Sequence, residues 1–350
     1  MRSKSIIRTL ALVIVLLHPP GIAAFETDQY NLPPVPLADI GDEVTEYVEE
    51  KIREAIAELN EEIAEIEACR ERRCKQELKI EERLRYLRSE EALAREVFKR
   101  LGDGFVPFTK SGTWMNRHKF RGQPARYTPG YSESIYAIFP TNYFTISPTV
   151  KIYGVEMGTD KIAHLFQQGY TYYRIYAEAV AKGAAPKAAT AKAVKWGRQS
   201  EHTYYGTFVS GVYSNADLFA NYVGMEFYQG LARETKVAGV TRSAIVELAD
   251  GRWRIAEGID VKSSLIKPYM TEHMNEALNP SMYIAGLRSS VRKKVKKRSC
   301  PQWLAAFPNL GRNIYVAKER ELSTWNGLDY GHRPNSQPVS IGKTCYSTTK

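Results

Sequence analysis

The chain has 350 residues, and its 49 Lys and Arg against 39 Asp and Glu give a formal charge of +10. With 25% charged and 43% hydrophobic residues it has the composition of a folded globular chain, which excludes wholesale disorder, collagen and low-complexity architectures. The length supports one large domain or two ordinary ones with a sizeable core.

Residues 1–24 read as a signal peptide. Arg2, Lys4 and Arg8 form a basic start, Leu10 to Leu17 a short apolar run, and Gly21, Ala23 and Ala24 supply small residues for cleavage, the three parts of a secretory signal. The run falls short of the roughly 18 apolar residues that a membrane span needs, and His18, Pro19 and Pro20 stop it. The most apolar later stretch, Thr203 to Leu231, contains Asp217, Asn221, Glu226 and Gln229, so no transmembrane segment is expected in the mature chain. The expected location is periplasmic or otherwise exported, free or peripheral to a membrane, which argues against nucleic acid as a partner. Four cysteines in an exported chain point to disulfides. Cys69 with Cys74 and Cys300 with Cys345 is the simplest pairing. A zinc site is the rival, but there is no CxxC and no histidine near Cys69 or Cys74.

Residues 25–40 form a Pro-rich lead-in, expected to be extended. Over 41–104, Val44, Val48, Ile52, Ile56, Leu59, Ile63 and Ile66 recur at helical spacing, and Ile80, Leu84, Leu87, Val97 and Leu101 follow. Two long amphipathic helices form an antiparallel hairpin, a structural arm or a surface for self-association. Residues 105–299 read as a central α+β domain with a helical core over 159–231. Within it Tyr136–Phe139, Tyr143–Ile146 and Val150–Tyr153 are expected as short strands, and Ala181 to Ala193 as a spacer, loop or surface helix. Ala244–Leu248 and Trp253–Ile255 flank Asp250-Gly251, a β-hairpin signal. A basic helix is expected over 281–298, and 300–350 as a loop-rich tail. The expected fold class is α+β, mainly α.

Histidine is scarce, with six in the chain, so pairings with carboxylates are informative. In GTDKIAHLFQQGYTYY, Asp160 and His164 stand four apart and share one helix face. Glu201-His202 follows, then GVYSNADLFANYVG, where Asp217 and Asn221 are again four apart. Two such helices can converge on a polar pocket. Asp160, His164, Glu201 and Asp217 are then catalytic groups or ligands of one divalent metal ion, with Lys161, Asn221, Tyr170 and Ser214 contacting substrate. A metal-free version has His164 as a general base oriented by a carboxylate. The same residues also suit a structural network: Asp160 as a helix N-cap, Ser214 with Asp217 at capping-box spacing, and a buried polar cluster between helices.

The order DKxxH, an isolated Glu and SxxDLxANxxG resembles the signature of VanZ-like envelope proteins, and is similar to that of a group of bacterial envelope lipoproteins. The matching positions are Asp160, Lys161, His164 and Tyr170, then Glu201, then Ser214, Asp217, Leu218, Asn221 and Gly224, all within about residues 154–231. The resemblance implies association with the cell envelope or glycopeptide resistance. VanZ-like proteins span the membrane several times, whereas Tyr172, Arg174, Glu178 and Lys182 give this chain a water-facing amphipathic helix.

Two further histidines read as structural. His273, in TEHMNEALNPS beside Glu272, Asn275 and Glu276, is expected at a helix end stopped by Asn279-Pro280, and His118 in a solvated loop. Between Arg288 and Arg298 lie seven basic residues (Arg288, Arg292, Lys293, Lys294, Lys296, Lys297, Arg298) and no acid. Such a helix is attracted to anionic phospholipid or a polyanionic envelope polymer. These seven and the three of the signal account for the whole excess of +10. The functional expectation is an exported envelope protein performing metal-assisted hydrolysis or modification of an envelope lipid or glycan intermediate. The alternative is a non-enzymatic periplasmic structural or binding module that uses the hairpin and the basic helix.

Overall fold

A computed structural model describes residues 26–71, 77–105, 108–138, 140–334 and 337–346. The expected signal peptide and Cys74 lie outside the described residues. Helices dominate and strands occur only as short antiparallel pairs among the described residues, the mainly-α α+β class that the sequence predicts.

The lead-in is extended, as proline demands, and it is no loose tail. Glu26 to Asn31 are all buried, and Asp39 accepts hydrogen bonds from the N–H groups of Tyr153 and Gly154 at 2.9 and 2.6 Å. Helix α1 (Gly41–Glu71) follows, its Val44, Val48, Ile52, Leu59 and Ile63 buried. Against it return α2 (Glu77–Leu87) and α3 (Glu90–Leu101), so the second arm is two helices where one long helix was expected. Ser89 breaks it. Its backbone is extended and its hydroxyl accepts from the N–H of Ala92 at 3.2 Å, the local alternative that serine offers a helix. Ion pairs from Arg83 to Glu62 and Arg70 to Glu81 line the outside, each worth about 1 kcal/mol or less. The apolar face expected for self-association is used within the chain, because both arms share one core with the central helices. Trp253 donates its indole N–H to Leu87 at 2.9 Å, and Asn60 bonds the Trp253 backbone in both directions at 2.8 Å.

Helices α4 (Lys110–Arg117) and α5 (Pro140–Phe144) precede the first strands. Residues 136–138 lie in turns and Tyr143 in α5, so the strands expected at Tyr136–Phe139 and Tyr143–Ile146 do not form. Pro140 sets a helical φ and opens α5, and Tyr136 is a fully buried anchor with no strand partner among the described residues. The strand expected at Val150–Tyr153 is present as β1 (Thr149–Ile152), paired with β2 (Val155–Gly158).

Helices α6 (Thr159–Ala181), α7 (Pro186–His202) and α8 (Asn215–Gly230) form the central layer, with β3 (Val212–Tyr213) before α8. Most of the expected Ala181–Ala193 spacer is helix, since Pro186 starts α7. Helices α6 and α8 touch backbone to backbone. A Cβ on Gly224 would lie 2.1 Å from the Leu165 carbonyl oxygen, and one on Gly169 would lie 2.5 Å from the Cα of Gly224. Two hairpins follow, β4 (Thr235–Val237) with β5 (Val240–Arg242) and β6 (Val246–Ala249) with β7 (Arg252–Ile255). The second turns on Asp250 and Gly251, with φ of 51° and 74°, the mirror-image turn that Asp-Gly signals.

After α9 (Val261–Ser264), β8 (Met282–Tyr283) pairs with β3. The basic helix is α10 (Ala285–Lys294), continued by a π turn over Val295–Ser299. The tail expected as loop holds α11 (Cys300–Ala306), α12 (Arg312–Glu321) and α13 (Ile341–Cys345). Trp303, Tyr315 and Ile341 join Leu287, Val291 and Val295 in a second core, closed by the expected Cys300–Cys345 disulfide. Each tail helix contributes few core anchors, too few to register as a periodic face.

The crossing yields a prediction. Gly224→Ala is expected to destabilise the fold by about 1–3 kcal/mol through overpacking, whereas Gly286→Ala, where an added Cβ meets nothing within 4 Å, raises stability by up to about 1 kcal/mol. Urea midpoints of the two variants check the difference.

Candidate functional site

The first turns of α6 and α8 meet the buried lead-in and the segment around residue 276. Lys161 lies at the centre, fully buried, with Nζ 2.7 Å from Asp160 Oδ2, 2.5 Å from Asp217 Oδ1 and 2.7 Å from Glu276 Oε1. Burial alone lowers a lysine pKa. Here the charges of Asp160, Asp217 and Glu276 outweigh it and hold Lys161 well above its usual value. Asp160 is not the helix cap that its position suggested. Gly158 caps α6, and Asp160 Oδ1 instead accepts from the Thr27 hydroxyl at 2.8 Å. Ser214 does cap α8, its hydroxyl oxygen accepting from the N–H of Asp217 at 3.0 Å while its O–H donates to Glu276 Oε1 at 2.6 Å.

His164 stands one turn along α6, with Nδ1 3.0 Å from Asn221 Oδ1. An amide oxygen only accepts, so Nδ1 carries the proton. Nε2 then faces Asp217 Oδ2 at 3.4 Å. Burial raises the Asp217 pKa, but His164, Lys161 and the Ser214 hydroxyl outweigh it and leave the carboxyl below its ordinary value. Burial dominates at the neighbouring acids. It holds Glu276 above the usual carboxylate range despite Lys161, and with the Asp217 charge it pushes Glu26 and Glu201 well above it.

Asp160, His164 and Asp217 each offer a ligand atom, and these atoms lie within 4.8 Å of one another, a nitrogen-and-oxygen set that suits a divalent ion. Glu201 stands outside that triad and accepts the Ser214 N–H at 2.9 Å. The four-residue set is therefore three candidate ligands plus a backbone-holding acid. Tyr170 packs elsewhere, stacked on Phe98 at 4.3 Å. Glu276, expected only beside a helix end, is a central member, as are Thr27 and Glu26. No local pattern could have flagged them, since they join the cluster only through the tertiary fold.

The cluster is closed. Asp160 and Lys161 are 0% exposed, Glu201 1%, Asp217 3% and His164 4%. A cavity of about 500 Å³ lies against α7 and α8, and one of about 520 Å³ lies between the lead-in, β1–β2 and the tail. No residue of the cluster lines either. His273 stacks on Phe219 at 4.4 Å and its Nε2 reaches the Thr324 carbonyl at 3.0 Å, a structural place. His118 is half-buried, stacked on Trp114 and 3.5 Å from Glu43, where a solvated loop was expected. Comparison of the chain with protein-family models, with curated proteins and with solved structures gives no match.

Two outcomes follow from these charges. Lys161→Met strips three buried carboxylates of their shared cation and is expected to cost about 3–5 kcal/mol, measured by urea unfolding at neutral pH. Glu226 is a separate buried acid on α8. Its Oε2 accepts from the Trp325 indole at 3.1 Å, and among the described residues it has no cationic partner. Burial raises its pKa from 4.5 to about 8. The folded state therefore holds this proton more tightly than the unfolded chain, and the stability linked to it is full below pH 4.5 and falls as pH rises toward about 8. Glu226→Gln removes that fall, so unfolding midpoints across this window decline less steeply in the variant. Equal slopes would contradict the assignment.

Proposed function

We propose that the chain is an exported cell-envelope module without catalytic chemistry of its own, in which the Asp160, Lys161, His164 and Asp217 cluster locks helices together and binding falls to the exposed surface. One observation carries this reading. The Lys161 ammonium already neutralises Asp160, Asp217 and Glu276 at 2.5–2.7 Å, and the cluster is covered. Export is supported by the Cys300–Cys345 disulfide, a feature of oxidising compartments. The resemblance to VanZ-like proteins supports the envelope. Among the described residues no helix is long and apolar enough to cross a membrane, which supports a module that meets the envelope from its surface.

A second reading rests on the gap between His164 Nε2 and Asp217 Oδ2. A single divalent ion held by Asp160, His164 and Asp217 would supply Lewis-acid chemistry for hydrolysis of an envelope lipid or glycan intermediate. Elemental analysis of the purified chain, combined with unfolding of two variants, separates the readings. The module reading expects substoichiometric metal, with Asp217→Asn losing about 3–5 kcal/mol and His164→Ala about 1–3 kcal/mol. One bound divalent ion per chain, lost in His164→Ala while the fold keeps its stability, would overturn it, because groups retained for function commonly detract from stability.

A further inference from the structure

Six of the large apolar side chains that this fold leaves exposed lie on three neighbouring segments. Phe144 is 80% exposed and Phe208 75%. Ile138, Tyr131, Tyr204 and Ile284 are exposed as well. These residues belong to three segments that are tied side by side. Asn142 of α5 donates to the Ser210 carbonyl at 2.7 Å, and the Ile284 N–H donates to the Gly211 carbonyl at 2.9 Å. Tyr131 meets Tyr143 edge-on at 4.9 Å, and Lys294 reaches over to donate to the Ser132 carbonyl.

Ile284 leads directly into the basic helix. Leu287, Val291 and Val295 face the second core, which leaves Arg292, Lys293, Lys296, Lys297 and Arg298 exposed and Arg288 and Lys294 half-buried. Among the described residues none of these seven forms an ion pair. The only acid in the segments 131–144, 204–211 and 284–298 is Glu133. A fold that neutralises its buried lysine three times over thus leaves a block of surface cations without a counter-charge, next to two phenylalanines in water. Burying a phenylalanine side chain is worth about 1.5–3 kcal/mol, and each basic residue near an anionic membrane about 1 kcal/mol.

We propose that this surface seats the protein on an anionic phospholipid bilayer, with Phe144 and Phe208 entering the headgroup region while the α10 cations and those of the π turn meet lipid phosphates. The proposal deepens the module reading by naming its partner. A soluble polyanion would engage the cations and leave the phenylalanines in water, whereas an interfacial surface uses both.

Co-sedimentation of the disulfide-intact chain with vesicles tests it. Binding is expected to vesicles of phosphatidylglycerol mixed with phosphatidylcholine, to be weak on pure phosphatidylcholine, and to fall with added salt. Replacing Lys293, Lys296 and Lys297 together by Gln is expected to weaken partitioning about a hundredfold, at about fivefold per charge. Replacing Phe144 and Phe208 together by Ser, at unchanged charge, should weaken it at least about tenfold. Circular dichroism of both variants confirms the fold, which these exposed positions leave intact. No binding to the anionic vesicles, equal binding to the neutral ones, or indifference to the phenylalanine pair would overturn the proposal. Indifference combined with tight binding of soluble polyphosphate would identify a polyanion instead. A stoichiometric metal in the same preparation would defeat the lock and leave the vesicle result standing.

Discussion

The buried ammonium of Lys161 is the constraint around which the central fold is arranged. An unpaired charge at 0% exposure is untenable, because leaving water costs several kcal/mol per ion. The chain therefore has to deliver acceptors to one point from three places far apart in sequence: Asp160 beside it, Asp217 at the start of α8, and Glu276 beyond both hairpins. Two of these acceptors are held in turn by hydroxyls, Asp160 by Thr27 and Glu276 by Ser214 and Ser281. The lead-in is drawn into the interior by the same demand, since Thr27 cannot reach Asp160 from a solvated tail.

Such a cluster tolerates little play between its helices, and the glycines downstream supply the rigidity. Gly169 and Gly224 let α6 and α8 meet at backbone distance, and the Tyr228 hydroxyl pins the crossing by donating to the Phe166 carbonyl at 2.8 Å. The close crossing and the polar lock share two helices and are a turn or two apart, so each fixes the geometry that the other needs. This gives the SxxDLxANxxG spacing a physical content. Ser214 starts the helix, Asp217 meets the lysine, Asn221 meets the histidine, and Gly224 permits the contact.

What could be read from the sequence was whatever repeats locally. The faces of α1, α2 and α3, the Asp-Gly hairpin and the two i, i+4 pairs all rest on spacing within one element, and each appears in the structure. Tertiary choices were not readable. Nothing near Glu276 distinguishes it from Glu272, four residues earlier, which pairs with Lys318 away from the cluster. Tyr136 and Tyr143 have strand-forming side chains, but Pro140 between them and the demand for a buried anchor override that preference. The tail helices escaped notice because their anchors are a few isolated residues, Trp303, Tyr315 and Ile341, set among Gly, Asn and Pro.

The distribution of charge sets the two halves of the molecule apart. Inside, one cation is shared by three carboxylates, and Glu26 and Glu201 are driven toward their neutral forms by burial and by the Asp217 charge. That interior is close to electrically saturated and admits at most a small cation between His164 and Asp217. Outside, from Ala277 to Lys318, the chain has no acidic residue at all, and the seven cations between Arg288 and Arg298 form no ion pair among the described residues. Self-repulsion of this kind lowers stability. The fold could relieve it with a few acids on the outer face of α10, which the inward stripe of Leu287, Val291 and Val295 leaves free to vary. A cost that is easily avoided and still present supports the proposed bilayer contact, to which the neighbouring phenylalanines would add an apolar component.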